Sequence, residues 1–132
     1  MTLLLLERIL LVGAGGFLGA VSRFGMFMLT KPLYKHGIPL GALSVNVIGS
    51  LLIGVLAFYI LHKDFEGHKI FETFLITGFL GSFTTFSAFS LDVLRLVQDH
   101  DYMTAGWVIL GNVVLSLIAV FIGFYLAMRL YT

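Results

Sequence analysis

Few side chains in this sequence can do chemistry, and those few are mostly neutral amides, hydroxyls and rings at helical spacing. Asn46 lies in an apolar stretch with Gly49 and Ser50 at i+3 and i+4, on one helix face. A carboxamide in hydrocarbon is costly unless its polar atoms are paired. Asn46 therefore either joins two helices or offers its NH2 group to something that passes. Asn112 and Ser116 are an i, i+4 pair that stacks as successive polar rungs, with the same two readings open. Phe86 and Phe89 are an i, i+3 pair, with Phe83 one turn earlier. Such a stripe is core packing, or it turns the positive ring edges toward an anion without gripping it. Arg23 ends an apolar stretch, where it either snorkels to the interface or draws anions toward a mouth.

What is missing narrows the classes. There is no Ser/His/Asp arrangement, phosphate-binding loop or pair of intramembrane carboxylates, so the sequence does not read as an enzyme. His36, His62, His68 and His100 fall in or beside loops without metal-ligand spacing, and the chain has no Cys. A net charge of +1 argues against a nucleic-acid partner. A proton-coupled exporter needs an acid deep in a helix. Glu7 precedes the first span and the other acids lie near ends or loops, so a passive pore fits better.

The elements that hold these side chains are membrane helices. Of 132 residues, 59% are hydrophobic and 11% charged, against about 25% charged in a soluble domain. Charge this sparse cannot cover a water-facing surface, which makes the lipid bilayer the solvent. A span needs about 20 mainly apolar residues. Four are expected, at about residues 9–29, 40–61, 70–97 and 104–128, the second closed by His62-Lys63-Asp64. Short loops make neighbouring helices antiparallel, and the chain reads as a single transmembrane domain over residues 1–132. The apolar start lacks a basic leader and a small-residue cleavage site, so it is read as mature sequence.

The third span is long for a simple crossing and carries Thr77-Gly78-Phe79-Leu80-Gly81-Ser82-Phe83-Thr84-Thr85 at its centre. Glycines and hydroxyl residues are poor helix formers, so a break near 78–85 is the favoured reading, over one long tilted helix with small residues at a packing face. Lipid tolerates a break only where protein or a polar cavity satisfies the freed backbone. Small residues elsewhere read as close packing between helices: Gly15 and Gly19, Gly13-Gly16-Gly19 at three-residue intervals, Ser50 and Gly54, Ala119 and Gly123.

Arg8, Lys63, Lys69 and Arg129 fall on one side of such a bundle, and Lys31, Lys35 and Arg95 on the other. Arg23 lies inside or just at the end of the first helix, so the count is four against three or four against four. That is no clear positive-inside bias. Either another determinant sets the topology, or the chain inserts both ways and two copies pair as an inverted dimer.

The motifs resemble those of a known family. Gly16-Phe17-Leu18-Gly19-Ala20-Val21-Ser22-Arg23 resembles the G-x-x-G-A-x-x-R of the CrcB/Fluc small fluoride channels. Asn46-Val47-Ile48-Gly49-Ser50 is similar to that family's second-helix motif, and Asn112-Val113 with Ser116 to its fourth helix. Gly78-Phe79-Leu80-Gly81-Ser82-Phe83-Thr84-Thr85-Phe86-Ser87-Ala88-Phe89 resembles its G-F-x-G-x-x-T-T-F-S-T-F signature.

The resemblance implies an all-α, multi-pass membrane protein with a broken third helix, paired as an antiparallel, dual-topology homodimer. It implies a channel that exports toxic fluoride across the cell (plasma or inner) membrane through two pores. It further implies a structural Na+ at the dimer centre, held by the backbone carbonyls of Gly81 and Thr84 from both subunits. Asn46 would line a pore, Phe86 and Phe89 would supply ring edges, and Arg23 would stand near the mouth. Thr85, Asn112 and Ser116 would belong to a polar track. Ala88 stands where the signature usually has Thr, and Ala42 where a Thr often precedes the asparagine, so each removes a hydroxyl. A small multidrug-type transporter, also four helices with dual topology, is the alternative; its deep first-helix acid is missing here.

Overall fold

The computed structural model describes residues 2–33, 37–62 and 68–131. Lys35 and Lys63, which enter the charge balance, and His36 and Asp64 lie outside the described residues. Four helical spans are long and apolar enough to cross a membrane, and no strand is found among the described residues.

Helix α1 runs Thr2–Thr30 and ends in a 3-10 turn, Lys31–Leu33, where Pro32 cannot continue the helical ladder. It starts well before the expected Ile9, because the leucines before Glu7 are strong helix formers. Glu7 and Arg8 sit exposed on its surface. Helix α2 runs Leu40–His62. The third span is composite: α3 (His68–Phe71), a π-helical stretch (Glu72–Leu80), α4 (Gly81–Phe83) and α5 (Phe86–Gln98). Helix α6 runs Tyr102–Tyr131 and passes both expected ends. Its two terminal tyrosines are residues that favour a membrane–water interface.

Two close pairings organise these elements: α1 lies on the π stretch and α4, and α2 lies on α6. Glycines set both. A Cβ on Gly15 would collide with the Phe74 carbonyl oxygen, and one on Gly19 with that of Phe79. From the other side, a Cβ on Gly78 would stand 2.9 Å from the Val12 carbonyl oxygen and 3.0 Å from Gly15 Cα. The α2–α6 contact is reciprocal, Gly54 against the Val120 carbonyl and Gly123 against that of Leu51. Backbone-to-backbone approach of this kind drives association where apolar side chains gain nothing by leaving lipid. Gly13 faces open space. Of the Gly13-Gly16-Gly19 series only Gly13 lies off the packed face, since a Cβ on Gly16 would stand 3.2 Å from Ser82 Oγ.

Helix α5 completes the bundle against α6 and α2. Ala42, Phe89, Leu96, Ala105 and Val108 form a buried apolar cluster there, with Ala88 packed against it. Ala42 and Ala88, where the resemblance leads one to expect threonine, thus belong to one apolar cluster, where a hydroxyl would need a partner.

Candidate functional site

The backbone of the third span leaves helical geometry at two residues. Thr84 (φ −79°, ψ 158°) and Thr85 (φ −153°, ψ 116°) are extended, while Gly81 is helical (φ −60°, ψ −30°). Threonine suits both duties. Its β-branched side chain favours extended backbone, and its hydroxyl caps helices. The Thr84 hydroxyl donates to the Leu80 carbonyl at 3.0 Å, closing α4. Thr85 Oγ1 accepts the Ala88 N–H at 3.1 Å and lies 3.2 Å from Ser87 Oγ, which starts α5. Gly78 and Gly81, weak helix formers, stay helical at or beside the π stretch.

Asn46 reaches this point from α2. Its Oδ1 accepts the Thr85 N–H at 2.8 Å, and its Nδ2 donates to the Thr85 carbonyl at 3.1 Å. Nδ2 also donates to Asn112 Oδ1 on α6 at 3.0 Å, and Asn112 Nδ2 donates to the Val108 carbonyl at 3.1 Å. Three helices are tied through two carboxamides. Asn112 and Thr85 are each 6% exposed, so this network is largely out of solvent.

Beside it lies a partly open cavity of about 520 Å³ with walls from α2, the third span and α6. Asn46, Thr85, Phe86, Phe89, Asn112 and Ser116 all line it, as do Gly81 and Thr84. No charged side chain does. Phe86 and Phe89 meet edge to face, with centroids 5.2 Å apart. Ser116 Oγ is buried and makes no hydrogen bond. Arg23 is not in the wall; its Nη1 stands 3.5 Å from the Thr84 carbonyl oxygen, to which it donates. Ser50, treated above as a packing residue, also lines the cavity, and Gly49 makes room for the Thr84 methyl. Both lie on the Asn46 face, so their i+3 and i+4 spacing carried the signal. Ser87 had none.

The chemistry on offer is neutral. Hydroxyls, amides and ring edges surround the cavity, and the positive end of the α5 dipole begins at its wall. Among the described residues, no three His, Asp or Glu side chains are grouped to hold a metal ion.

Residues 10–124 match the model of a family described as CrcB-like protein, Camphor Resistance (CrcB). A fluoride-specific ion channel FluC of Francisella philomiragia is 45% identical over 126 residues, covering 93% of this chain and 96% of that protein. Proteins of the same name from Rhizobium meliloti and Campylobacter jejuni are 48% and 42% identical, covering 89% and 91% of this chain and 94% and 97% of their own lengths.

Proposed function

The chain belongs to the CrcB-like family, and from that premise we propose that it is a passive fluoride channel that lets toxic fluoride leave the cell across the plasma or inner membrane. The observation that carries this reading is the buried, unpartnered Ser116 hydroxyl in a cavity without charged walls. Fluoride is small and strongly hydrated, so a pore must replace water with donors. Neutral donors do this without trapping the ion, and conduction requires that the ion leave again. Phe86 and Phe89 add positive ring edges, and the α5 N-terminus adds a fixed partial charge that favours anions. A wall without a carboxylate offers no proton carrier, which favours passive conduction over proton-coupled export.

Two copies in opposite orientation form the channel in this proposal, with two pores. The near-balanced Lys and Arg distribution supports dual insertion, and the single chain encloses the cavity only in part. A sodium ion at the dimer centre fits the residues present. In a continuous helix the N–H groups of Thr85 and Ala88 would point at the carbonyls of Gly81 and Thr84. Here those N–H groups are taken by Asn46 Oδ1 and Thr85 Oγ1. Gly81 and Thr84 therefore hold carbonyl oxygens released from the helical ladder, which are hard donors suited to a small cation. Bound there, a cation supplies a fixed positive potential that favours an anion nearby.

Purified protein reconstituted in liposomes tests the proposal. Fluoride efflux followed with an ion-selective electrode should far exceed chloride efflux. Fluoride loss no faster than from empty liposomes would reject the reading.

A further inference from the structure

We propose that Gly49 is a positioning residue for the Thr84 carbonyl. Its missing side chain is a socket for the Thr84 methyl, and the socket fixes the oxygen offered to the cation. The other close glycines of the bundle do a different job. Gly15, Gly19, Gly54 and Gly123 each face a backbone carbonyl of a neighbouring element. Gly49 instead faces a side chain at the break. A Cβ there would collide with Thr84 Cγ2 and stand 3.5 Å from Phe83 Cδ1. Gly49 and Phe83 are both buried, so neither wall of the socket can withdraw into open space.

The other arm of Thr84 is held as well. Its Oγ1 donates to the Leu80 carbonyl at 3.0 Å, and the same carbonyl accepts the Thr84 N–H at 3.0 Å. The Thr84 Cβ carries a hydroxyl, a methyl and a hydrogen in its staggered positions. Turning to either of the other rotamers takes the hydroxyl off Leu80. One of those turns also puts the oxygen where the methyl was, so the socket stays filled. Only the observed setting satisfies both contacts. With N–H, hydroxyl and methyl anchored, Thr84 is fixed between α4 and α2, and its carbonyl leaves that frame in one direction. A methyl group on residue 49 would push Thr84 away from α2, and the carbonyl would move with it.

This role for Gly49 rests on the cation site proposed above, so the test reads sodium binding and not fluoride flux. The full chain is purified in detergent with N-methyl-D-glucamine in place of sodium. Its thermal midpoint is followed through Trp107 fluorescence as sodium is added. A ligand that binds only the folded protein raises the midpoint with its concentration, so the sodium needed for half of the rise is measured. Gly49→Ala should raise that requirement roughly 10–100-fold, the usual cost of losing support behind a metal ligand. Thr84→Ser deletes the methyl and keeps the hydroxyl and the carbonyl, so it should raise the requirement less. Gly49→Ala/Thr84→Ser moves a methyl from residue 84 to residue 49 and should return the requirement to that of Thr84→Ser. A Gly49→Ala protein with the wild-type requirement overturns the proposal, even if its midpoint falls at saturating sodium, because that loss is packing alone. A double variant that needs as much sodium as Gly49→Ala overturns it too. Should Gly49→Ala not fold by itself, the double variant decides: folded with the requirement of Thr84→Ser it supports the socket, and unfolded it rejects it. A wild type whose midpoint ignores sodium would reject the cation site and the socket's role together.

Discussion

Phe86 and Phe89 stand edge to face at 68°, one turn apart on α5, yet Phe86 is 76% exposed and Phe89 6%. One ring is core and its neighbour is surface, so of the two cavity-lining rings only Phe89 also carries the fold. Phe89→Ala should lose about 3–5 kcal/mol of stability, the usual cost of emptying a buried aromatic site. Phe86→Ala should leave the fold within roughly 0.5 kcal/mol and reduce fluoride efflux. Thermal unfolding followed through Trp107 fluorescence, beside liposome efflux, reads both. Equal losses of stability in the two variants would contradict the assignment.

A second prediction concerns the helix contacts. Gly19→Ala places a methyl group on the Phe79 carbonyl, where backbone cannot yield as a side chain does. It should cost about 3 kcal/mol or more, at the upper end of overpacking effects. Gly13→Ala lies on the same helix and meets nothing within 4 Å. It should be neutral or gain roughly 0.5–1 kcal/mol, since alanine restricts the unfolded chain. The fraction of monodisperse protein surviving a heat step in detergent distinguishes them. A Gly19→Ala protein as stable as Gly13→Ala would show that α1 and the π stretch are not in backbone contact.

Much of this architecture is legible before any coordinates. The four spans follow from apolar run length alone, and Gly15 with Gly19 announces a close helix contact. The partner of that contact is not legible, because nothing local to Phe74 or Phe79 marks their carbonyls as the opposing surface. Within residues 78–85 the glycines draw the eye, yet Gly78 and Gly81 are helical and the extended residues are Thr84 and Thr85. Propensity is a weak prior that packing overrides, and α1 covers Gly78. Asn46 shows the same limit. Its type announces a need for partners, but Thr85 and Asn112 are 39 and 66 residues away and only the fold brings them together.

Sodium removal provides a third prediction, and Arg23 makes it specific. Its guanidinium nitrogen is 3.5 Å from the Thr84 carbonyl oxygen, one of the two proposed cation ligands. A fixed positive charge that close opposes a second one, by about 1–3 kcal/mol at an effective dielectric near 20. Replacing sodium with N-methyl-D-glucamine should lower the thermal midpoint of the wild type. In Arg23→Gln the same stabilisation should return at roughly tenfold lower sodium or less, one decade for each 1.4 kcal/mol. An Arg23→Gln protein that needs more sodium than the wild type would mean that the guanidinium supports the site.

The last prediction separates a polar group kept for the ion from one kept for the fold. A buried hydroxyl that bonds within the protein stabilises it, so removing it usually costs about 1 kcal/mol. Ser116 Oγ makes no such bond. Ser116→Ala should therefore unfold at the wild-type temperature or slightly above, because a desolvated hydroxyl is deleted and no hydrogen bond is lost. Fluoride efflux should fall nonetheless, since the cavity loses its one buried hydroxyl free to turn toward an anion. Ser116→Thr keeps the donor and should retain more efflux than Ser116→Ala. Efflux that survives Ser116→Ala intact would place the recruiting donor elsewhere in the wall, with Ser50 on α2 the next to test.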